Sequence, residues 1–494
     1  MSSEPRRLHP AAMIIAAIRT IRRSVSAVVI PGIAFLVSRG FDPGTIVLVL
    51  LGALVVAVLA AFWGFLSWRV TTYEVAGGAF RLRQGVLQKN ERTIPLDHVQ
   101  SVDTVQGIIQ RLFDVVEVRI ETAGGGASEP DASLAALGRP EAQALRREIE
   151  GSRREPVEAE EAAGPTILRR LGTRDLLVAG ATSGQIGVAL SLLAVASQLF
   201  DEVLSEDLAR RLLETFAPGS VSTVLLYVLL LGLFAWLLAI GGTVLAHAGF
   251  TLSRDGEFLY IRRGLLERRE ATIPLARIQA IRVSEGPLRQ PFGLASLRVE
   301  SAGYGEDAGV STILFPLLPR REVQDFLLEA APEFAVDPPL NALPRRALRR
   351  YVFRSTVPVL VLLVAAGLFS HLAFGFAPWS LAALLLLLPA ALYGWLRYRD
   401  AGWAIEDDRL VVRSRLLGRS TTIAPRRRLQ SRATVRSPLQ RRLRLATFTA
   451  RVASGGGGAE LQITDLGSEA AEGLIERLRP GRRYASGAPG SSAV

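Results

Sequence analysis

The chain has 494 residues, enough for about three domains of roughly 150 residues each. Lys and Arg total 58 against 46 Asp and Glu, a net charge of +12 that arginine carries almost alone, since Lys89 is the lone lysine. The absence of cysteine excludes disulfides, thiolate metal sites, iron–sulfur clusters and cysteine nucleophiles, and four histidines leave little for a histidine metal centre. Apolar residues make up 49% of the chain and gather in long runs, the pattern of a membrane protein with sizeable soluble parts.

Read from the N-terminus, 1–68 is an N-terminal segment with a first transmembrane pair, Ser24–Val37 and Thr45–Trp68. The second run carries no charge, and its 24 residues make about 36 Å of helix, enough for a hydrocarbon core of roughly 30 Å. Arg19, Arg22 and Arg23 before a short apolar run resemble a signal peptide, but the run starts late and lacks a small-residue cleavage site, so it reads as a retained anchor. A soluble module over 69–150 follows, then a linker, 151–174, whose Glu/Ala/Arg-rich part (Gly151–Gly164) reads as a tether. The second pair, Leu176–Leu199 and Val221–Ala248, lies within 175–248 and is followed by a module over 249–333. The intervening Phe200–Ser220 is acidic and has apolar residues at helical spacing. A basic juxtamembrane linker over 334–351 precedes the third pair, Val352–Ala377 and Trp379–Leu396, within 352–398. A third module over 399–480, with Gly455–Gly458 as a hairpin loop, ends in a disordered tail over 481–494. Arginines flank the outer ends of all three pairs while two of the hairpin tips are poor in them. The positive-inside rule therefore places both termini and all three modules in the cytoplasm, with the chain multi-pass in the plasma (inner) membrane.

The modules repeat. Gly264, Pro274 and Gln279 each lie 179 positions after Gly85, Pro95 and Gln100, and Pro425 and Gln430 lie 151 positions after Pro274 and Gln279. Phe80-Arg-Leu-Arg and Leu259-Tyr-Ile-Arg alternate as half-buried strands do, Gly85 and Gly264 sit where hairpin corners belong, and Pro140–Glu150, Arg320–Ala331 and Ser468–Leu478 read as closing helices. The fold class is thus membrane α + β: six transmembrane helices in three hairpins, each followed by a small β-barrel or sandwich with a C-terminal capping helix, a closed shape that hides strand edges.

A transmembrane hairpin, a strand–Gly–strand corner, Thr-Ile-Pro-Leu-x-x-(Ile/Val)-Gln and a strand ending Glu-(Thr/Ser)-Ala-Gly (Glu121–Gly124, Glu300–Gly303) together resemble the bacterial pleckstrin-homology (PH)-domain membrane proteins of the YdbT/YdbS-like family. Arg7-Leu-His-Pro10 and Asp175–Ser183 are similar to that family too, and the resemblance spans nearly the whole chain. It implies PH-like split barrels with capping helices, and a contribution to envelope integrity or to resistance to envelope-active compounds. The third copy departs from the pattern: Ala424 replaces the isoleucine before Pro425, and Val452-Ala-Ser-Gly replaces the Glu-Thr-Ala-Gly end.

Catalytic motifs are missing: there is no Gly-x-Ser-x-Gly elbow, P-loop, His-Glu-x-x-His or aspartate-rich metal motif, so no catalytic residue, metal ligand or cofactor is expected. Spans two, four, five and six lack interior charged residues, which argues against ion-coupled transport, although a multi-span exporter or transporter component is the alternative reading. The charged feature with functional content is arginine. Arg262, Arg263, Arg268, Arg269, Arg426, Arg427, Arg428, Arg441 and Arg442 are candidate contacts for anionic lipid head groups or a partner, against the simpler reading that a positive-inside protein shows such clusters anyway. Pro95, Gln100, Pro274, Gln279, Pro425 and Gln430 form the repeat signature, read as structural. Nucleic acid is not expected, because aromatic residues do not interleave with the arginines. The expected partners are membrane lipids, with a second membrane protein or further copies of the chain beside them. The sequence thus points to a non-catalytic membrane protein presenting three PH-like modules for interaction.

Overall fold

The computed structural model describes residues 5–21, 35, 42–122, 131–151, 165–183, 221–301, 313–374, 383–453 and 459–479. It divides after Pro274 into two compact units.

Within the described residues three helices are long and apolar enough to cross a membrane: Pro43–Val70, Leu225–His247 and Arg345–Ala373. Asp42 starts the first by accepting from the Gly44 and Thr45 amides, with Pro43 preset for the first turn, and Arg69 lies in its last turn. The sequence reading had six spans. Of the other three, Ser24–Val37 and most of Leu176–Leu199 lie outside the described residues. The last, Trp379–Leu396, appears from Ala383 as a 3-10 turn and the 14-residue helix Leu387–Asp400, too short on its own to cross. Each long helix has a close helical neighbour, and a glycine sits at each contact. A Cβ on Gly64 would strike the Met13 carbonyl, one on Gly180 would lie 3.1 Å from Ile240 Cα, and one on Gly394 would lie 2.7 Å from Val352 Cα. The first neighbour, the helix Ala11–Ile21, falls where the sequence offered no element; Trp68 Nε1 donates to the Leu8 carbonyl at 2.9 Å beside it.

In the first unit, β1 (Arg6–Arg7), β2 (Thr72–Ala76), β3 (Ala79–Gln84) and β4 (Asn90–Pro95) form a four-stranded antiparallel sheet. The strands β5 (Val99–Gln106), β6 (Val115–Thr122) and β7 (Ala132–Gly138) form the second layer, and the helix Arg139–Gly151 closes the core. Phe80, Leu82, Val118, Ile120, Leu134, Leu145 and Ile149 are buried together there. Alternation in Phe80-Arg-Leu-Arg is what sends Phe80 and Leu82 inward. The second unit repeats this plan in its last module. Its strands are β15 (Asn341–Ala342), β16 (Gly402–Glu406), β17 (Arg409–Arg415) and β18 (Arg419–Pro425), then β19 (Leu429–Val435), β20 (Leu445–Val452) and β21 (Ala459–Gly467). The helix Ser468–Arg477 packs on a core that includes Leu410, Val412, Phe448, Ile463 and Leu474.

Two features differ from the sequence reading. First, each long apolar helix follows the first strand of its sheet rather than preceding the whole module. β1 comes before Pro43–Val70, β8 (Thr166–Arg170) before Leu225–His247 and β15 before Arg345–Ala373, and each bonds to the next strand of its sheet, β2, β9 (Thr251–Asp255) or β16. Thr166–Arg170 and Asn341–Ala342, expected in linkers, are therefore sheet edges. Second, the modules are not closed barrels with hidden edges. The second module begins with β8, β9 (Thr251–Asp255), β10 (Phe258–Arg263) and β11 (Arg268–Pro274), and β11 pairs with β5 of the first to give one seven-stranded sheet. The strands β12 (Ile278–Glu285), β13 (Leu294–Ser301) and β14 (Ile313–Pro319) likewise extend through β12–β18 pairing into the sheet of the third module. Splitting each module into two half-sheets leaves edges that the neighbouring copy satisfies at β5–β11 and β12–β18, while β4 and β19 end their sheets among the described residues.

Candidate functional site

The repeat signature resolves into backbone geometry. The Pro95, Pro274 and Pro425 positions end a strand, a tight turn follows, and the next strand opens on an irregularity. The register slips between Val99 and Ser101, between Ile278 and Ala280 and between Leu429 and Ser431, so Gln100, Gln279 and Gln430 are each the extra residue of a β-bulge. Gln279 is buried and its Nε2 donates to the Arg277 carbonyl at 3.0 Å, satisfying the turn from within.

Gly85 and Gly264 make the same corner, at φ +108° and +105°, where a Cβ would collide with the carbonyl oxygens of Gln88 and Glu267. Beyond it lie the hairpin tips Val86–Gln88 and Leu265–Glu267, and Leu416–Gly418 takes the same place in the third module. Below each tip a cross-strand pair recurs: Arg83–Glu91 at 3.1 Å, Arg262–Glu270 at 3.3 Å, and Arg413 donating to Thr421 Oγ1 at 3.2 Å.

The second module shows where these tips sit. The Gly264 amide donates to the Ala248 carbonyl at 2.8 Å, and the Leu265 amide donates to the Leu245 carbonyl at 2.9 Å. These accept on behalf of the helix end Val221–His247, whose last carbonyls have no partner inside the helix. His247 is buried; its Nε2 accepts from Arg263 at 2.9 Å while Nδ1 lies 3.2 Å from the Thr243 carbonyl, an arrangement that requires the neutral ring protonated at Nδ1. Burial, helped by Arg269, pulls the Arg263 pKa down to about 10, so it stays charged at neutral pH.

Around this helix end lies a groove of about 470 Å³ lined by Arg170, Phe250, Arg262, Arg263, Leu265 and Arg268. A second groove of about 300 Å³ brings Arg139 and Arg146 to Arg262 and Arg268, and Arg146 lies over the Tyr260 ring at 4.9 Å. In the second unit a groove of about 640 Å³ gathers Arg346, Arg436, Arg441 and Arg444 beside Trp403 and the start of the helix Ser468–Arg477.

The arginines singled out from sequence thus fall into different roles. Arg262 and Arg268 line the grooves beside the membrane helix, and Arg441 lines the third groove. Arg263 is a buried strut, and Arg269 is held by Glu267 at 2.7 Å. Arg426 pairs with Asp408 at 3.1 Å and Arg427 with Glu333 at 2.8 Å. Arg428 is half-buried, and burial lowers its pKa. Arg442 is exposed at the end of the short helix Pro438–Arg442. Sequence reasoning missed Arg139, Arg146, Arg170, Arg346, Arg436 and Arg444 as groove residues. Arg170 and Arg346 could have been found, since they flank the same membrane pairs as the arginines it chose. Among the described residues no group of three or more His, Asp or Glu could hold a metal ion.

A family model described as a bacterial PH domain matches residues 23–153, 208–331 and 358–482. The chain belongs to the bacterial PH-domain family and carries three copies of its module. It is 34% identical over 497 residues to the UPF0699 transmembrane protein YdbT of Bacillus subtilis (strain 168), covering 96% of this chain and 98% of that protein. No solved structure matches.

Proposed function

We propose that this is a non-catalytic membrane protein whose three PH-like modules, held against the cytoplasmic face by six spans in three hairpins, form an interaction surface for anionic lipid head groups and for partner membrane proteins, in support of envelope integrity. The observation that carries the reading is the groove in which Arg170, Arg262 and Arg268 meet at the end of the helix Val221–His247. Guanidinium groups there stand at the level of lipid phosphates, and arginine suits a phosphate because its planar fork donates two parallel hydrogen bonds. Arg263, held by the buried His247, lines that groove too, and the Gly264 corner holds Arg262 and Arg268 on opposite strands.

Each basic residue near an anionic surface contributes about 1 kcal/mol. In the full chain purified from membranes, the double change Arg170→Glu with Arg268→Glu is expected to reduce retained phosphatidylglycerol by at least about tenfold relative to wild type, read by native mass spectrometry. Equal retention of anionic and zwitterionic lipid by the wild-type chain would remove the head-group reading. Cross-linking in native membranes tests the partner-protein half.

A further inference from the structure

We propose that the apolar hairpin tips of the modules, Val86–Leu87, Leu265–Leu266 and Leu416–Leu417, dip into the acyl boundary of the bilayer that the helices cross, so that each module is pinned to the membrane at a second point besides its helix pair. A β-hairpin tip facing water is ordinarily built from Gly, Asn, Asp and Ser. Here the same position carries an aliphatic pair in every copy, and each pair leaves a leucine exposed: Leu87 is 85% exposed, Leu265 and Leu266 are 50% and 45%, and Leu416 and Leu417 are each 71%.

Position says what covers them. The Leu265 amide donates to the carbonyl of Leu245, a residue inside the helix Leu225–His247, so the tip runs beside the last turn of a membrane-crossing segment rather than beyond it. In the third module Arg397, one turn before the end of the helix Leu387–Asp400, donates from Nε to the Arg415 carbonyl at 3.3 Å, which sets Leu416 beside that helix end. Arg111 donates to the Leu265 carbonyl at 2.7 Å, and its short helix Ile108–Leu112 adds Ile108 and Leu112 to the exposed apolar patch. The flanking Arg262 and Arg268 then fall at phosphate depth while the leucines pass below, the arrangement of amphipathic elements that lie in an interface. The proposal rests on the membrane helices alone and does not need the head-group reading.

Absence of cysteine makes the test direct. Leu266→Cys and Leu417→Cys are each introduced into the full chain, labelled with a nitroxide and reconstituted in nanodiscs of phosphatidylcholine only. Glu257→Cys, at the opposite end of β10, is the control. The expected result is a ratio of oxygen to nickel-chelate accessibility several-fold higher at 266 and 417 than at 257. Ratios at 266 and 417 equal to the control would overturn the proposal. Because these positions are exposed, the substitutions leave the folded core intact, and because the discs carry no anionic lipid, failure here is distinct from failure of phosphatidylglycerol retention.

Discussion

A buried ion-pair network anchored on Asp400 is predicted to hold the third module to the helix Leu387–Asp400. Asp400 ends that helix, its side chain is 7% exposed, and its carboxylate accepts from Arg415 Nε and, at 2.9 Å, from Arg419 Nη2. Arg415 is itself nearly buried and also donates to Gln290 Oε1. Arg419, about a third exposed, pairs as well with the buried Glu285 at 3.3 Å. Asp400→Ala strands the Arg415 guanidinium, which costs about 3–5 kcal/mol for a buried pair broken on one side. The Arg419 share adds under about 1 kcal/mol, because that side chain is partly solvated and keeps Glu285. A total of about 3–6 kcal/mol is a factor of roughly 10²–10⁴ in local opening.

A global melt suits a multi-domain membrane chain poorly. Hydrogen exchange of the β17 and β18 amides in the full chain is the assay, and protection there should fall by about that factor. The double change Asp400→Leu with Arg415→Met should cost less than Asp400→Ala, since no buried charge remains unpaired. Burial alone would raise the Asp400 pKa, but hydrogen bonds from Arg419 and Arg415 outweigh it and hold the pKa below the usual carboxylate value. The folded state then holds its proton less tightly than the unfolded chain, so the stabilisation is complete above about pH 4 and is lost as pH falls further. Protection unchanged in Asp400→Ala, or a double variant worse than the single, would refute the reasoning.

The Gly264 corner gives a second expectation. Gly264→Val meets both a φ of +105° and the Glu267 carbonyl, and it should cost at least about 2 kcal/mol, read as faster exchange in β10 and β11, while Gly52→Val, in open space on a membrane helix, should not. The third concerns the β5–β11 junction, where Asp103 Oδ1 accepts from the Thr272 amide at 3.2 Å. Burial holds the Asp103 pKa up to about 7, and burial together with Asp103 holds Glu121 up to about 8. The folded state therefore binds more protons than the unfolded one, and stability should fall as pH rises from about 4 towards 8. Asp103→Asn keeps the acceptor and should flatten that slope in exchange corrected for its intrinsic pH dependence; an unchanged slope would exclude Asp103 as its source.

Local patterns carried much of the fold. Alternation located β3 and β10, the repeated glycine at Gly85 and Gly264 located two of the corners, and the Pro140, Pro319-Arg-Arg-Glu and Gly467-Ser-Glu starts located the capping helices, because each depends on residues close in sequence. What was illegible depends on distant backbone. Arg6–Arg7 is a two-residue strand with no period to read, and its partner Tyr73 lies beyond the long apolar helix Pro43–Val70. The pairing of Arg268 with Gln106 uses main-chain groups that every residue carries, so no composition announces it. The arginines divide the same way: Arg262 and Arg263 are neighbours in sequence, yet strand alternation sends one towards Glu270 and the grooves and the other towards His247. Arg426 and Arg427 pair with Asp408 and Glu333, acids that sequence proximity to the cluster could not rank.

The sheet junctions share a register that the repeat itself transposes. Gln106 stands opposite Arg268 at the first and Glu285 opposite Arg419 at the second, and these residues are related by the same 179 and 151 positions that relate the signature prolines. An acceptor side chain faces an arginine each time, and opposite or complementary pairs across strands stabilise while like charges oppose pairing. Arg436, which is held by Glu472, and Lys89 occupy the corresponding places just outside β19 and β4. Charged residues at outer strands are how sheets keep from growing.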